Sequence, residues 1–390
     1  MFNLTFEFKL KPTATQIGVF EDSLEQCPKV YNSALKKCKD WYNSRKCQIN
    51  SCSKSSEYII SADGPLPTYS SQCKALTTYR KTSPALLRVN AALLQQTRLR
   101  LGKSFVTMWE QSHGFPRFKK QGTLRSFKEP QFGVTFHQGN RFKLPVISPR
   151  KFWQDRPIPQ GAIVKQARVV RRSTGWYIML ALQWDVSIPH TIPHENPLGV
   201  DVGLTNFMAT SNGLLIKRTS FLGEAERKLK LLQKPVTRKK IVSNNRKKAA
   251  EKVALLHEYV ANCRKDWHRK LSHQICDNAA MVFVEDLNWV GPKAAMLGKH
   301  CLDSGFGQLF NILEQTCFKR GVYFPKVDGN KTSEISPNCL KETGKKELSE
   351  RVHSCHHCAY TTDRDVAAAQ VVLKRGLAAV GHTVKMLACK

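Results

Sequence analysis

The stretch "PLGVDVG", residues 197–203, is an apolar run with one acidic residue, Asp201, two positions before Gly203. A run of this length with turn residues at its end is typical of a buried β-strand. The next residues, "LTNFMATSNGLLIKR" (204–218), predict a strand, a turn and a second strand. Taken alone, an aspartate just before a glycine turn is a weak indication of function, because aspartate and glycine are both common in turns.

Two further acidic residues follow at intervals of about eighty residues. Glu285 ends the apolar strand "MVFVE", and Asp365 lies where "TDRDVAAAQ" begins a helix rich in Ala, Val and Leu. Carboxylates at strand ends and at a helix start point into one crevice beside a sheet. They repel one another unless hard divalent cations such as Mg²⁺ bind between them. A pair of such ions activates a water and stabilises the leaving 3′ oxygen of a phosphodiester. The order strand, hairpin, strand, helix is the layout of a ribonuclease H-like core.

The overall charge indicates the partner. The 390 residues include 62 Lys and Arg against 30 Asp and Glu, a net charge of +32, with 41% hydrophobic residues. A globular chain this basic is expected to bind nucleic acid. An anionic membrane surface is the alternative, but the sequence has no lipidation motif, no free-standing basic amphipathic helix and no membrane-length apolar run. Cysteines without a secretion signal predict reduced thiols in the cytoplasm, with the protein associated with the nucleoid.

The N-terminal half divides into a helical part and a strand-rich part. Residues 1–11 alternate like a strand, residues 14–105 show mostly helical spacing, and residues 114–190 predict short strands with a hairpin at 173–175. Such strands predict a small β-barrel that the N-terminal strand helps to close.

Basic residues cluster in two regions that we predict to contact nucleic acid. In the strand-rich part they alternate with Phe115, Phe118 and Phe127, a mixture that suits base stacking, although each aromatic side chain is equally compatible with a core. In the helical region 222–272, few acidic residues offset the basic ones, which favours contact with a phosphate backbone. The candidates are Arg117, Lys119, Lys120, Arg238, Lys239, Lys240, Arg246, Lys247 and Lys248.

The segment before Asp365 resembles an incomplete zinc site. "CHHC" (355–358) is a full Cys-x-x-Cys knuckle, whereas "ISPNC" (335–339) has Ser336 where its first cysteine is expected. Structural zinc requires four Cys or His ligands, and Cys339, Cys355 and Cys358 are three. Three alternatives stay open: a weakened zinc site, no stable metal, or a fourth ligand from His353, His356 or His357.

The quoted strands and the cysteine segment together resemble the TnpB family, the OrfB-type proteins of insertion sequences that are related to type V CRISPR effectors. "GVDVGLTNFMATS", "VFVEDLNWVG" and "SERVHSCHHCAYTTDRDVAAAQVVL" carry the resemblance, together with "LKPTATQIGVFEDSLEQCPKVYNSAL" and "GFPRFKKQGTLRSF" nearer the N-terminus. The resemblance implies an RNA-guided DNA endonuclease with a RuvC-like domain. It implies that Asp201, Glu285 and Asp365 are catalytic ligands of two Mg²⁺ ions, and that Asp363 is structural.

The resemblance also implies partners, and the sequence departs from the family pattern at several positions. The N-terminal modules would hold a guide RNA from the protein's own element and the duplex of that RNA with target DNA. The target sequence would then be recognised by base pairing with the guide. Besides Ser336, Leu340 and Ala359 stand where glycine is common after a knuckle, and Ala367 replaces a common asparagine.

The expected fold is therefore α/β plus β-barrel: a ribonuclease H-like (RuvC) core with inserted basic helices and a degenerate zinc ribbon, after a helical module and a small barrel. The predicted domains are a barrel (1–12 and 110–190), a helical recognition module (13–109), a RuvC-like nuclease domain (191–330 and 363–390) and a zinc-ribbon-like insertion (331–362).

Two other functions compete with a nuclease. A decayed or catalytically weak nucleic-acid-binding protein is favoured by Ser336 and opposed by the intact carboxylates. A strand-transfer enzyme is opposed by the absence of a recognisable Tyr and His pair.

Overall fold

The computed structural model describes residues 2–46, 60, 63–129, 136–137, 141–144, 147–184, 195–241, 243–287, 298–347 and 349–381. The chain forms two compact units, Met1–Ile188 and Pro189–Lys390. The Pro-rich segment between the predicted domains and the last nine residues of the predicted nuclease domain lie outside the described residues, apart from residues 195–197. Among the described helices, none combines the length and apolar character needed to cross a membrane.

The first unit contains an antiparallel sheet and helices. Its described strands are β1 (Phe2–Leu10), β2 (Ser126–Glu129), β3 (Phe136–His137), β4 (Arg141–Leu144), β5 (Ile147–Trp153), β6 (Ile163–Arg172) and β7 (Gly175–Trp184). Its described helices are α1 (Ala14–Lys46), α2 (Tyr69–Thr82), α3 (Pro84–Leu87) and α4 (Ala91–Glu110).

The N-terminal strand lies inside this sheet, whose order is β2-β6-β7-β1-β5-β4-β3. β1 pairs with β7 along most of its length and with β5 at its end. Alternate residues of β7, such as Ile178 and Leu180, are buried in one core with Phe20 of α1. β2 and β3 are the two ends of the sheet among the described strands, so the closed barrel stays a prediction.

The second unit is a mixed sheet with helices on both faces. Its described strands are β8 (Pro197–Asp201), β9 (Asn206–Thr210), β10 (Leu215–Lys217), β11 (Met281–Glu285), β12 (Lys326–Val327), β13 (Val352–Ser354) and β14 (Thr361–Asp363). Its described helices are α5 (Phe221–Arg238), α6 (Asn244–Asn278), α7 (Gly298–Ser304), α8 (Phe306–Arg320) and α9 (Arg364–Ala379).

The main sheet of this unit has the order β10-β9-β8-β11-β12. β8, β9 and β10 form an antiparallel meander, whereas β11 runs parallel to both β8 and β12. The long helices α5 and α6 connect the meander to β11 and so make the parallel crossover possible. The α/β class predicted from the sequence is therefore confirmed, and the structure shows that its sheets are mixed.

Side chains of the central strands alternate between two helical layers. Val282 and Val284 of β11 pack in a core with α6 and α8, whereas Met281 and Phe283 pack with α9. Two glycines let α9 lie directly against the strands, as a Cβ atom on Gly199 would stand 2.1 Å from the Ala369 carbonyl oxygen. On Gly376 of α9, a Cβ atom would stand 2.0 Å from the Phe283 ring.

Candidate functional site

The register of β8 and β11 places two acidic residues next to each other. Val200 pairs with Val284 in the parallel ladder, so Asp201 and Glu285 are the next residues of adjacent strands. Successive side chains of a strand point to opposite faces, and in β8 and β11 the odd-numbered residues are those that face α9. Asp201 and Glu285 are odd-numbered, so both lie on the α9 side of the sheet. Asp365 lies in the first turn of α9. All three carboxylates line one cleft of about 590 Å³.

Neighbouring polar groups hold two of these carboxylates in place. The Thr332 hydroxyl donates a hydrogen bond to Glu285 Oε1 at 2.5 Å, and the Asn206 side chain donates one to Asp365 Oδ2 at 2.8 Å. Asp363 is the N-cap of α9, since its Oδ1 accepts from the backbone N–H of Asp365 at 2.9 Å. Asp363 therefore satisfies the helix terminus while Asp365 points into the cleft.

The electrostatics of the cleft suit a cation. Burial, followed by the negative charges of Glu285 and Asp365, raises the pKa of the Asp201 carboxyl to about 8. Burial also raises the pKa of Glu285, against the hydrogen bond from Thr332. Carboxylates that oppose one another's ionisation are stabilised by a bound divalent cation, and oxygen ligands are those that Mg²⁺ prefers. The donor set therefore fits the predicted magnesium site.

The cleft also contains side chains that sequence reasoning missed. Arg218, His300, Arg351 and Arg364 line it beside the carboxylates, and Thr332 and Asn206 contact them. Arg364 could have been found from its position next to Asp365. The others carry no local signal, because each contact with the carboxylates or the cleft depends on the fold.

The cysteine segment forms two loops with equivalent hydrogen bonds. In the second loop, Cys355 N–H donates to the Tyr360 carbonyl and its own carbonyl accepts from Ala359 N–H. In the first loop, Ser336 makes the same two bonds, donating to the Lys341 carbonyl and accepting from Leu340 N–H. Ser336 thus occupies the position in the first loop that Cys355 occupies in the second.

Three thiols and this hydroxyl face one another. The sulfur atoms of Cys339, Cys355 and Cys358 all lie within 4.8 Å of one another, and the Ser336 hydroxyl lies 3.5 Å from the Cys358 sulfur. Hydrogen bonds from the Ser336 hydroxyl and from a backbone N–H lower the pKa of Cys358 to about 6. The cluster has the ligand types of a zinc site, with a poor ligand at its fourth corner.

The structure does not bring the candidate histidines into this cluster. Among the described residues, the group of metal-ligand atoms comprises the three thiols alone. His353 is buried and its Nδ1 contacts the Lys346 ammonium. The His356 and His357 rings lie against each other, with their centroids 4.0 Å apart.

The cysteine segment is tied to the helix that carries Asp365. The Tyr360 hydroxyl donates to Gln370 Oε1 at 2.9 Å, and the Lys374 ammonium donates to the Asn338 carbonyl. Arg364 donates to the Glu347 carbonyl at 2.7 Å. Loss of structure in the cysteine segment would therefore displace α9 and, with it, Asp365 in the cleft.

The basic candidates lie at two places, one in each unit. Arg238 is the last residue of α5 and Lys239 and Lys240 follow it, whereas Arg246, Lys247 and Lys248 lie in the first two turns of α6. These cations therefore flank the loop between the two helices. In the first unit, Arg117, Lys119 and Lys120 lie between α4 and β2, where the Asn32 side chain holds Lys119 through both its backbone N–H and its carbonyl. Phe115 and Phe118 are exposed there, but Phe127 belongs to the core.

Profiles of protein families match three parts of the chain. OrfB_IS605, described as "Probable transposase", matches residues 182–296. The "Cas12f1-like, TNB domain" profile matches residues 306–372, which include the cysteine segment and most of α9. A "Helix-turn-helix domain" profile, HTH_OrfB_IS605, matches residues 1–47, although residues 14–46 form one continuous helix here.

Two curated relatives and one solved structure are similar over most of the chain. "Putative RNA-guided DNA endonuclease InsQ" of Escherichia coli K12 is 28% identical over 76% of this chain and 75% of its own. "Putative RNA-guided DNA endonuclease" of Streptomyces pristinaespiralis is 27% identical over 96% of this chain and 89% of its own. A Cas12f1–sgRNA–target DNA complex shares the fold, with 14% identity and a TM-score of 0.52 over 91% of this chain and 82% of that one.

Proposed function

This chain belongs to the TnpB family of OrfB-type transposon proteins, and from that premise we propose that it is an RNA-guided DNA endonuclease with a RuvC-like nuclease core. The observation that carries the proposal is the convergence of Asp201, Glu285 and Asp365 in one cleft. These residues are separated by about eighty positions each, and three carboxylates in one partly buried cleft repel one another unless a cation binds between them.

Asp201, Glu285 and Asp365 would hold two Mg²⁺ ions. Bound there, the ions would supply an activated water and would neutralise charge on the leaving oxygen of a phosphodiester. Thr332 and Asn206 orient Glu285 and Asp365 through their hydrogen bonds. Arg218, Arg351 and Arg364 would contact the phosphates of the bound strand from the same cleft.

The proposed partners are a guide RNA from the protein's own element and a target DNA. Both relatives are named as RNA-guided DNA endonucleases, and the structure of similar fold was solved with sgRNA and target DNA. Nucleic acid of either kind would offset the net charge of +32. The basic residues at the α5–α6 junction and those from Arg117 to Lys120 are the proposed contacts.

For the cysteine cluster we propose a weakened zinc site. Cys339, Cys355 and Cys358 would bind Zn²⁺ through their sulfur atoms, and the Ser336 hydroxyl would fill the fourth corner poorly. Its role would be to hold the segment that anchors α9.

The test of the nuclease uses full-length protein purified with RNA transcribed from the 3′ flank of its gene. With Mg²⁺ and a library of target DNAs, we expect cleavage by the wild type and none by Asp201→Asn, with guided binding retained by both. Guided binding without cleavage by the wild type would instead establish the decayed, binding-only alternative. Equal cleavage by Asp201→Asn would show that the proposed metal site is wrong.

A further inference from the structure

Two buried thiols of the second unit lie in contact outside both candidate metal sites. Cys276 belongs to the last turn of α6 and Cys317 to the last turn of α8, and their sulfur atoms are 3.4 Å apart. Both are free thiols. They are 41 positions apart in the chain, so no local motif indicates the pair.

An arginine holds the two helix ends together beside these thiols. Arg320 of α8 donates a hydrogen bond to the His273 carbonyl of α6 at 3.2 Å and also contacts the Asp277 carboxylate. These two residues of α6 stand on either side of Cys276 in the sequence, so the contacts fix the spacing of the helices at the level of the thiols. The two sulfur atoms need to close from 3.4 Å to a bond length of about 2.05 Å, which is a small displacement.

The two thiols differ in protonation and in access. The hydrogen bond with Cys317, together with the Arg320 cation, lowers the pKa of Cys276 against its burial. The same hydrogen bond and burial raise the pKa of Cys317. Cys276 is 8% exposed, whereas Cys317 is fully buried. Because the thiolate is the form that reacts with oxidants, Cys276 is suited to react first and Cys317 to react with the product.

We propose that Cys276 and Cys317 form a reversible disulfide when the protein meets a peroxide. The Cys276 thiolate attacks one oxygen of hydrogen peroxide, the O–O bond breaks, and hydroxide leaves and is protonated to water, which gives a sulfenic acid. The Cys317 sulfur then attacks the Cys276 sulfur, the S–O bond breaks, and the Cys317 proton leaves with the oxygen as a second water. Two thiols and one peroxide thus give one disulfide and two waters. A dithiol reductant reverses the oxidation.

The disulfide would join the two helices that pack on one face of the main sheet. Cys276 and Cys317 belong to the same core as Val282 and Val284 of β11, whereas the three carboxylates of the cleft gather on the side of α9. The bond would close a loop of 41 residues and so lower the entropy of the unfolded chain. It would stabilise the sheet without entering the cleft, and it does not depend on the proposed nuclease activity.

The test treats folded full-length protein with hydrogen peroxide and blocks the remaining thiols with N-ethylmaleimide. Tryptic peptides are then mapped by mass spectrometry without reduction. Trypsin places Cys276 on peptide 271–293 and Cys317 on peptide 300–319. The second peptide also contains Cys301, so Cys301→Ser is the matched control for Cys317→Ser.

We expect wild type and Cys301→Ser to give a cross-link between these two peptides, lighter by two hydrogens than the free peptides together. Dithiothreitol should remove the cross-link, and Cys317→Ser should give none. No cross-link in the wild type would overturn the proposal. A cross-link that persists in Cys317→Ser would place the bond on Cys301 and would overturn it as well.

Melting curves of the reduced and oxidised proteins give a second readout. Oxidation should change the Tm of the wild type by about 4–8 °C more favourably than the Tm of Cys317→Ser, which keeps every other thiol. A change no more favourable than that of Cys317→Ser would show that the bond does not join the helices, and would also overturn the proposal. The peptide map of the wild type needs no substitution, so poor folding of a variant does not affect it. Absence of cleavage in the nuclease test would leave both results unaffected.

Discussion

Asp201 is the last residue of β8, and its carboxyl group lines the same cleft as those of Glu285 and Asp365. Its burial there, and then the charges of Glu285 and Asp365, raise its pKa from 3.8 to about 8. In the unfolded chain the same group releases its proton near the ordinary value. Between these two pKa values, the folded protein without a cation keeps a proton on Asp201 that the unfolded chain has released. The free energy of unfolding therefore falls as the pH rises from the lower pKa to the higher one.

We expect Asp201→Asn to remove this pH dependence. In EDTA, the wild-type free energy of unfolding should fall between about pH 4 and pH 8, and the variant should be more stable at pH 8 by at least about 1 kcal/mol. Urea unfolding at pH 5 and pH 8 measures the difference. Asp286→Asn is the matched control, because that exposed acid directly follows β11. Parallel pH profiles for wild type and Asp201→Asn would contradict the expectation, whereas adding Mg²⁺ should favour the wild type.

We expect Ser336 and Leu340 to weaken the first cysteine loop for different reasons. Ser336 is a poor metal ligand, whereas Leu340 has φ of 61° and Ala359 has φ of 55°. In this left-handed region a side chain costs roughly 1 kcal/mol relative to glycine.

These two causes predict different zinc dependence. Ser336→Cys should raise the zinc content to one ion per chain and raise Tm only when zinc is present, because the gain is binding free energy. Leu340→Gly should raise Tm by about 2–4 °C with or without zinc, since it relieves backbone strain. Metal analysis and melting curves with and without a chelator measure both. A zinc-independent gain for Ser336→Cys would argue against a metal at this cluster.

At the scale of elements, α9 is the helix that completes the candidate site. It lies close against β8 and β11 because Gly199 and Gly376 have no side chain at the contacts. Its first turn carries Asp365. Its close approach to the sheet therefore sets the position of Asp365 relative to the other two carboxylates.

Gly199→Ala should separate α9 from β8. The added Cβ atom would meet the Ala369 carbonyl at 2.1 Å, so the helix must shift. We expect a loss of about 2 kcal/mol or more in stability and loss of Mg²⁺-dependent cleavage, because overpacking moves the helix. Gly307→Ala in α8 is the control: nothing lies within 4 Å of its Cβ position, and an alanine there should stabilise slightly. Wild-type cleavage by Gly199→Ala would show that the spacing of α9 does not matter.

The start of α6 places basic residues where a helix favours acidic ones. Ser243 caps α6 by accepting a hydrogen bond from Arg246 N–H, and Arg246 and Lys247 lie in the first turn. Cations oppose the macrodipole at a helix N-terminus. These residues therefore cost stability in the free protein and are suited to contact a phosphate backbone.

Arg246→Glu should therefore stabilise the free protein and weaken its complex with RNA. A glutamate three residues after the Ser243 cap completes a capping box, worth about 0.5–1 kcal/mol together with the dipole. Lys252→Glu makes the same change of charge in the interior of the helix, without the cap. Urea unfolding and RNA binding measure both effects. A stability gain no larger than that of Lys252→Glu would contradict the capping argument.

At the scale of the whole molecule, the net charge of +32 opposes folding of the free protein. Mutual repulsion is screened by salt, whereas the complex with a polyanion is weakened by salt. The same ions should therefore have opposite effects on the free and bound protein.

We expect Tm of the free protein to rise as NaCl increases from about 50 mM to 200 mM, and Tm of the RNA-bound protein to fall over that range. Adding RNA at low salt should raise Tm by mass action. Melting curves at several salt concentrations, with and without RNA, measure the effect. A free protein whose Tm falls with salt would show that its charges are balanced internally.

Local patterns in the sequence were sufficient for the family, for the α/β class and for the position of each carboxylate on its element. Asp201 and Glu285 end their strands, and Asp365 lies in the first turn of its helix. These features depend on residues close together in the chain, where apolar periodicity and capping are readable. The barrel, the domain boundaries, the bound metals and the roles of the site residues stay predictions.

The sequence by itself determined which residue types are present and on which elements they lie: three acids at element ends, three cysteines with a serine, and an excess of basic side chains. Only the tertiary structure decided which of them meet. It joined Thr332 to Glu285 and Asn206 to Asp365, left the histidines out of the thiol cluster, and set Lys128 opposite Arg168. The physical reason is that register, helix packing and burial depend on contacts between residues far apart in the chain.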